Sequence, residues 1–151
     1  MTTTPHEVDL IERSASALAS PRQWFGMSGH LVTGECVALH VEAAARLMER
    51  ENWDPQMYAP FSGRHIRDAL ESARLDGAGD ADTQYVARTV MEALLRTYTG
   101  APYVDYEVWS EHSSRTLAEV LTLLRTTAEA ARRHGPALAR PVPPLTPGGG
   151  I

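Results

Sequence analysis

Apolar residues recur with a helical period along most of this chain, and no other feature limits its fold as strongly. The pattern is clearest after Thr116, where apolar residues follow one another three or four positions apart; they are Leu117, Val120, Leu121, Leu124, Ala128 and Ala131. Thr116 and Glu119 form a T-x-x-E capping box, in which each side chain accepts a hydrogen bond from the backbone N–H of the other residue. The pattern predicts a helix over residues 117–133 with a fixed start and one buried face.

The same period, together with local start and stop signals, predicts four more helices. The first is capped by Thr4, has Pro5 as its first residue, extends to about Leu18 and ends before Ser20-Pro21. The second begins at Thr33 or Gly34 and extends to about Asn52, burying Val37, Val41, Ala44 and Met48. The third is capped by Ser62, and the fourth is capped by Asp82 and ends at Gly100.

Two segments break the helical pattern. A short strand is predicted at residues 30–33, within a glycine-punctuated connection. In residues 101–109, Val104, Tyr106 and Val108 alternate with polar or aromatic residues, which favours either a strand pairing with residues 30–33 in a short β-hairpin or an extended segment lying across helices. The predicted fold is therefore mainly α, a compact array of about five helices.

Domain boundaries follow from the composition near the C-terminus. Residues 1–135 are predicted to form one helical domain, because a chain of this length buries enough surface for a real core. Residues 136–151 are rich in proline and glycine, and we expect a disordered tail. Its Pro141-x-x-Pro144-x-x-Pro147 spacing is compatible with either a polyproline ligand or a linker.

Charge and composition exclude several classes of function. The net charge is −5 and there is no basic run, which argues against nucleic acid as a partner. All 14 basic residues are arginine, so Schiff-base lysines and P-loop nucleotide sites are excluded. No apolar run approaches the roughly 18 residues of a membrane span, and the N-terminus does not resemble a signal peptide. We expect a cytoplasmic protein without a cofactor.

Cys36 and His40 lie four residues apart on the second helix and hence on one face. This spacing suits two ligands of one metal, with His30 as a third, or a thiolate–histidine pair. The competing interpretation is that Cys36 packs in the core as a small apolar residue. We predict no metal site, since no second histidine or cysteine pair completes one, and retain Cys36 and His40 as candidate ligand-binding residues.

The densest ionisable cluster precedes the capped helix and contains Asp105, Glu107, Glu111, His112 and Arg115. Glu111, His112 and Arg115 are the candidate catalytic residues, with Glu111 or His112 as the acid–base group and Arg115 as an anion clamp. The alternative is a solvated edge in which Glu111 and Arg115 form an ion pair.

Aromatic residues surround the same cluster. Trp24, Trp53 and Trp109 are expected to anchor the core, unless two of them form a flat wall for a ligand. Trp109, Trp24 and Tyr106 are the aromatic candidates for ligand binding.

The positions Cys36, Trp109, Arg115, Thr116, Glu119, Val120, Leu121, Leu123 and Leu124 resemble a pattern found in a family of small actinobacterial domains of unknown function. That pattern combines a cysteine-centred helix with a closing W-N-D-x-x-x-R-T-x-x-[DE]-V-L-x-L-L segment. This chain departs from it at Ser110 and Glu111, which replace Asn and Asp, and at Leu39-His40-Val41, which replaces Gly-Ala-Leu. The family has no established activity, so the resemblance implies a fold and a genomic context and no reaction.

Two functional hypotheses follow. The first is a helical module that binds a protein partner, as an accessory subunit or a homodimer, through an apolar patch of about 800 Å² per partner. The second is a small cofactor-free enzyme or a small-molecule-binding protein whose pocket lies around Trp109, Glu111, His112 and Arg115.

Overall fold

The computed structural model describes residues 5–51, 66–111 and 115–137. Their secondary structure is helical, which confirms the predicted fold class. In chain order the helices are α1 (Pro5–Arg13), α2 (Ala15–Leu18), a 3₁₀ turn (Pro21–Trp24), α3 (Gly34–Glu51), α4 (Ile66–Leu75), α5 (Ala81–Thr99), α6 (Tyr106–Glu111) and α7 (Leu117–His134). No helix in these ranges has the length and hydropathy of a membrane-spanning segment.

Helix α3 lies at the centre of the packing, with α7, α4 and α5 around it. The predicted core face of α3 is confirmed, because the side chains of Val37, Val41, Ala44 and Met48 are completely buried. The face of α7 is likewise buried at Val120, Leu124, Ala128 and Ala131. The apolar stripes of these two long helices therefore form the main part of the core.

The start of α3 and the end of α7 meet backbone to backbone. A Cβ atom on Gly34 would lie 2.0 Å from the carbonyl oxygen of Ala131, and one on Gly135 would lie 2.5 Å from the Cα of Gly34. The backbone N–H of Gly34 donates to the carbonyl of Pro136 at 3.0 Å. Glycine at both positions allows this close approach, since any side chain would have to occupy space filled by backbone atoms.

Arg132 adds a polar link between the same two helices. Its guanidinium donates to the Glu35 carboxylate at 3.0 Å and to Oε1 of Glu42 at 2.9 Å. These hydrogen bonds lower the pKa of Glu35 and raise that of Arg132, so both charges persist at neutral pH.

The local signals at two helix ends are confirmed. Thr116 accepts a hydrogen bond from the N–H of Glu119 at 3.2 Å, and Glu119 accepts one from the N–H of Thr116 at 2.9 Å. Gly100 ends α5 with φ of 75°, a conformation that costs glycine little. Ser62 and Thr4, the other predicted caps, lie outside the described residues, as does the segment 138–151 of the predicted tail.

The cap predicted for α5 is wrong by two residues. Asp80 caps this helix, since its Oδ1 accepts the N–H of Thr83 at 2.8 Å. Asp82 lies in the first turn and accepts the N–H of Ser28 at 3.2 Å, which docks the 26–30 turn onto α5. A Cβ on Gly26 would lie 2.4 Å from the Asp82 side chain, so the turn approaches closely because it has a glycine there.

The first helix is shorter than predicted. It ends at Arg13, and the single turn α2 follows after Ser14. The hydroxyl of Ser14 is buried and donates to the carbonyl of Leu10 at 2.9 Å. The backbone N–H of Ser14 donates to the same carbonyl at 3.0 Å, and a serine that shares its i−4 carbonyl in this way often bends a helix.

The strand predicted at residues 30–33 is reduced to one antiparallel bridge between Phe25 and Leu31. The prediction of a strand or extended segment through residue 109 is also wrong, because Tyr106–Glu111 forms α6. The Oδ1 of Asp105 accepts the N–H groups of Glu107 at 2.8 Å and Val108 at 3.3 Å. This cap starts a helix where a short period-two alternation had indicated extended backbone.

We predict that Gly34→Ala lowers the free energy of unfolding by about 3 kcal/mol, because its Cβ collides with backbone that cannot move without separating α3 from α7. Gly29→Ala is the control, since Gly29 has φ of 89° and open space around it. It should cost only the backbone strain, about 1 kcal/mol. Urea denaturation of both variants measures the difference, and equal losses would show that the α3–α7 approach is not constrained.

Candidate functional site

Trp109 and Arg115, two of the residues singled out in the sequence, are brought together. The guanidinium of Arg115 stacks over the indole of Trp109, with Cζ 3.8 Å from the ring centroid. Its Nε donates to the Trp109 carbonyl at 2.9 Å, and its Nη1 lies 3.5 Å from Oε2 of Glu119. Arg115 thus fixes the end of α6 against the start of α7 through a cation–π contact and hydrogen bonds.

The structure describes the other predicted catalytic residues only in part. Glu111 is the last residue of α6, but its side chain lies outside the described part of the chain, as does His112 entirely. Arg115 is already engaged by Trp109 and Glu119. Its role as an anion clamp, and the acid–base roles of Glu111 and His112, stay predictions.

A groove of about 500 Å³ lies beside Trp109, between α1, α5 and α7. Its apolar lining comes from Leu10, Leu95 and Leu123, and the aromatic side chains of Tyr98 and Trp109 complete the wall. Tyr98 is 65% exposed, so the groove opens to solvent at the end of α5. We call this space the Trp109 groove.

The polar lining of the Trp109 groove combines acidic side chains with Arg13, His6 and the hydroxyl groups of Thr122 and Thr126. Glu7 and Asp9 come from α1 and Glu119 from α7, while Arg13 is the one arginine that lines the groove in the described ranges. The Thr126 hydroxyl donates to the Thr122 carbonyl at 2.7 Å and lies 3.4 Å from Oε1 of Glu7, across the α1–α7 boundary. The hydrogen bond from the Thr116 N–H lowers the pKa of Glu119, so this carboxylate is ionised at neutral pH.

Arg13 is held by two other groups. Its Nη1 lies 3.5 Å from Oδ2 of Asp9, and its Nη2 donates to the Thr97 carbonyl at 3.1 Å. The carboxylate of Asp9 therefore offsets the charge of Arg13.

The structure places two predicted ligand-binding aromatics away from this groove. Trp24 is buried, and its indole N–H donates to the Leu18 carbonyl at 2.7 Å, as expected of a core anchor. Tyr106 is also buried, where α6 meets α5, and its backbone N–H donates to Glu92 at 3.4 Å. Burial raises the pKa of both the Tyr106 phenol and the Glu92 carboxyl.

Cys36 and His40 share a helix but have opposite environments. Cys36 is exposed, so the interpretation of this residue as part of the core is wrong. His40 is completely buried, and its Nδ1 lies 2.6 Å from the Ala78 carbonyl, to which it donates. No group of three or more histidine, cysteine or acidic side chains converges as a metal site within residues 5–51, 66–111 and 115–137.

His40 is held in its neutral form. Burial lowers its pKa below the ordinary value of 6.5, since a charged imidazolium would lose its hydration there. Its Nε2 is buried and has no hydrogen-bond partner among the residues that the structure describes. The loop above fits closely, because a Cβ on Gly79 would lie 3.0 Å from Nδ1 of His40. His40 thus anchors the loop between α4 and α5 to α3.

Ser28, His30 and Asp82 form a cluster that has the composition of a catalytic triad but not its geometry. The Ser28 hydroxyl lies 2.8 Å from Nδ1 of His30 and donates to Asp82. Asp82 Oδ2 lies 3.4 Å from the same Nδ1. In a triad the histidine stands between the two partners and uses different nitrogens for each. Here the contacts hold an exposed turn against α5.

Sequence reasoning did not identify the α1 side of the Trp109 groove or its α7 floor. The sequence analysis did not single out Glu7, Leu10 or Thr126 as candidate site residues. The groove joins Glu7 to Thr126 across 119 residues of sequence, and no local pattern carries that information. The one usable signal was Trp109, which lies just before the capped helix.

The comparisons with known proteins give one family. The model of a family of unknown function, DUF6197, matches residues 32–130. This confirms the predicted resemblance to a family of unknown function, while the actinobacterial source and the closing motif stay predictions. No curated protein and no solved structure shows a significant match. The matched region contains Trp109, Arg115 and the α7 side of the groove, whereas α1 lies outside it.

We predict that His40 makes the protein less stable as the pH falls from 7.5 to 5.5. The lowered native pKa means that the unfolded chain takes up a proton below about pH 6.5 while the native chain does not, so the free energy of unfolding decreases with pH. The contribution should be about 1 kcal/mol, with an upper limit of about 1.4 kcal/mol.

His40→Asn keeps a donor for Ala78 and removes the titration. Urea denaturation at both pH values should therefore show a smaller pH-dependent loss in the variant than in the original chain. A variant with an undiminished loss would mean that His40 does not stay neutral in the fold.

Proposed function

The chain belongs to DUF6197, a family of unknown function, and we propose that it binds a small organic ligand in the Trp109 groove. The observation that carries this proposal is the groove itself, whose volume of about 500 Å³ is that of a small-molecule site. Its lining joins apolar residues to a few polar groups, the combination that gives a ligand both affinity and orientation.

Contacts within the protein hold the walls of the groove in place. Trp109 is held by Arg115, and the α7 wall starts at the Thr116–Glu119 capping box. Leu95 and Leu123 are buried in the core on their inner sides. A site on fixed helices loses little conformational entropy when a ligand binds, which favours a preformed binding site over one assembled on binding.

An acid–base reaction in the same groove is the enzymatic form of this proposal. Glu111 ends α6 two residues after Trp109, so its chain position favours a place near the groove. The binding function does not depend on this reaction.

A second candidate function is self-association through the solvent side of α3. Cys36, Leu39, Ala43 and Leu47 follow one another at helical spacing, and Leu39 is 51% exposed. A hollow of about 180 Å³ continues the stripe and carries both Arg46 and Asp76. A face that carries a positive and a negative side chain beside an apolar stripe can pack against the same face of a second copy about a two-fold axis. This is the homodimer form of the partner-binding hypothesis.

For the groove, we predict that Ala118→Phe abolishes ligand binding. Ala118 is exposed and lines the groove, so a phenyl ring there fills it without burying a polar group. A fragment library screened by thermal shift should yield compounds that raise Tm by about 5–10 °C at 100 times their Kd. These shifts should vanish in Ala118→Phe, and Trp109 fluorescence should report the same compounds.

Ala81→Phe is the matched control. Ala81 is also exposed and begins α5, about 25 Å along that helix from Tyr98. The proposal fails if fragments bind Ala118→Phe and Ala81→Phe equally well, because the binding site would then lie elsewhere.

For self-association, we predict that Leu39→Glu raises the dimer dissociation constant at least tenfold, because it places a charge in the apolar stripe. Met27→Glu, at a side chain that is 82% exposed in the 26–30 turn, should leave dimerisation unchanged. Sedimentation equilibrium measures both, and an original chain that stays monomeric at millimolar concentration would rule this candidate out.

A further inference from the structure

We propose that the ligand of the Trp109 groove is an uncharged, mainly apolar compound with a carbonyl oxygen, and that the hydroxyl of Thr122 donates a hydrogen bond to this oxygen. This inference rests on the proposed binding function and adds the chemical class of the ligand and the residue that orients it. It follows from the contacts of the charged side chains in the groove and from one hydroxyl group that still has a proton to donate.

The charged groups at the α7 end of the groove already have partners within the protein. Oε1 of Glu119 accepts the N–H of Thr116 at 2.9 Å, and Oε2 lies 3.5 Å from Nη1 of Arg115. The guanidinium of Arg115 in turn stacks on the indole of Trp109. A charged ligand group at this end would therefore have to compete with an existing charged partner.

The charged groups on the α1 side are engaged as well. Arg13 contacts the Asp9 carboxylate at 3.5 Å and donates to the Thr97 carbonyl at 3.1 Å. Glu7 also interacts with other groups of the protein. His6 lines the groove too, but its side chain is exposed to solvent. The described lining thus offers a charged ligand no counter-charge that is both sheltered from water and free of other contacts.

Thr122 differs from the threonines that follow it on α7. The hydroxyl groups of Thr126 and Thr127 donate to backbone carbonyls one turn earlier, at 2.7 and 2.8 Å. The Thr122 hydroxyl accepts a hydrogen bond from Nη2 of Arg125 at 3.5 Å, and it donates to no group in the part of the chain that the structure describes. Because a hydroxyl can donate and accept at the same time, its proton is available to a ligand.

Thr122 lies in the middle of the α7 wall. Ala118 and Thr126 are one helical turn before and after it, and all three residues line the groove. The side chain of Thr122 is partly exposed, so a ligand in the groove can reach its hydroxyl. One hydrogen bond at this position would fix the orientation of a ligand whose other contacts are apolar.

The rest of the lining favours an apolar ligand body. Leu10, Leu95 and Leu123 supply aliphatic surface, and Tyr98 and Trp109 supply aromatic surface. Apolar groups of a ligand gain free energy when they leave water for such a surface. An ionised group that moved with them would lose hydration that the described lining does not replace.

Four compounds that share a phenylethyl group test the proposal, namely 4-phenylbutan-2-one, 3-phenylpropanoate, 3-phenylpropylamine and propylbenzene. The first three end in a neutral carbonyl, a carboxylate and an ammonium group, and the fourth has no polar group. NMR titration of the protein should show that the ketone binds about tenfold or more tightly than the carboxylate and the amine. Added salt should leave the binding of the ketone unchanged.

Two variants of α7 locate the hydrogen bond. Thr122→Val removes the hydroxyl and keeps the branched shape of the side chain, so it should weaken ketone binding about fivefold. Propylbenzene should bind this variant as tightly as the original chain, which would show that the groove is intact. Arg125→Met is the matched control, because it removes the group that donates to Thr122 and leaves the hydroxyl in place. It should keep the original affinity for all four compounds.

The outcomes separate this inference from the binding function. If the carboxylate or the amine binds as tightly as the ketone, and Ala118→Phe abolishes that binding, the uncharged ligand is refuted and the binding function stands. If Thr122→Val leaves ketone binding unchanged, or weakens the ketone and propylbenzene equally, the role of Thr122 is refuted. If none of the four compounds binds, the inference is refuted, and the fragment screen decides on the groove independently.

Discussion

The backbone contact between the start of α3 and the end of α7 is the constraint on which the rest of the structure depends. Gly34 and Gly135 allow it, and Arg132 spans it by binding Glu35 and Glu42. While α7 is fixed against α3 in this way, it also contacts α1 through Thr126 and Arg133 and packs against α5. The Trp109 groove is the space that this arrangement leaves between α1, α5 and α7.

The groove combines two kinds of surface whose roles are different. Its leucines and Trp109 supply area, which gives affinity without strong selectivity. Glu7 and Glu119 supply charge at defined positions, and charge at fixed positions discriminates between ligands of equal shape. Arg115 supports the apolar and aromatic surface. It stacks on Trp109 and orients this ring, while its guanidinium also contacts Glu119. A residue predicted from the sequence as an anion clamp thus has a structural task in the groove.

The sequence predicted those features that short-range physical chemistry determines. The capping box at Thr116 and the left-handed glycine at residue 100 are local, and both are confirmed. Prediction failed where one side-chain hydrogen bond outweighed the periodicity, as Asp105 does at the start of α6. It also failed where burial depended on packing, because the interpretation of Cys36 as a core residue is wrong and its side chain is exposed. The α1 side of the groove was missed for a third reason, because it forms only in the folded chain.

The family match covers the α5 and α7 sides of the groove but not the α1 side. Residues 32–130 include Glu119 as well as Leu95, Leu123 and Trp109, which belong to the apolar and aromatic surface of the groove. Glu7 and Leu10 lie outside the match, on a helix that packs on this surface from the N-terminal side. The matched part alone would leave the leucines of α5 and α7 facing solvent on that side. Helix α1 therefore covers this apolar surface and adds Glu7, Asp9 and Arg13 to the lining of the groove.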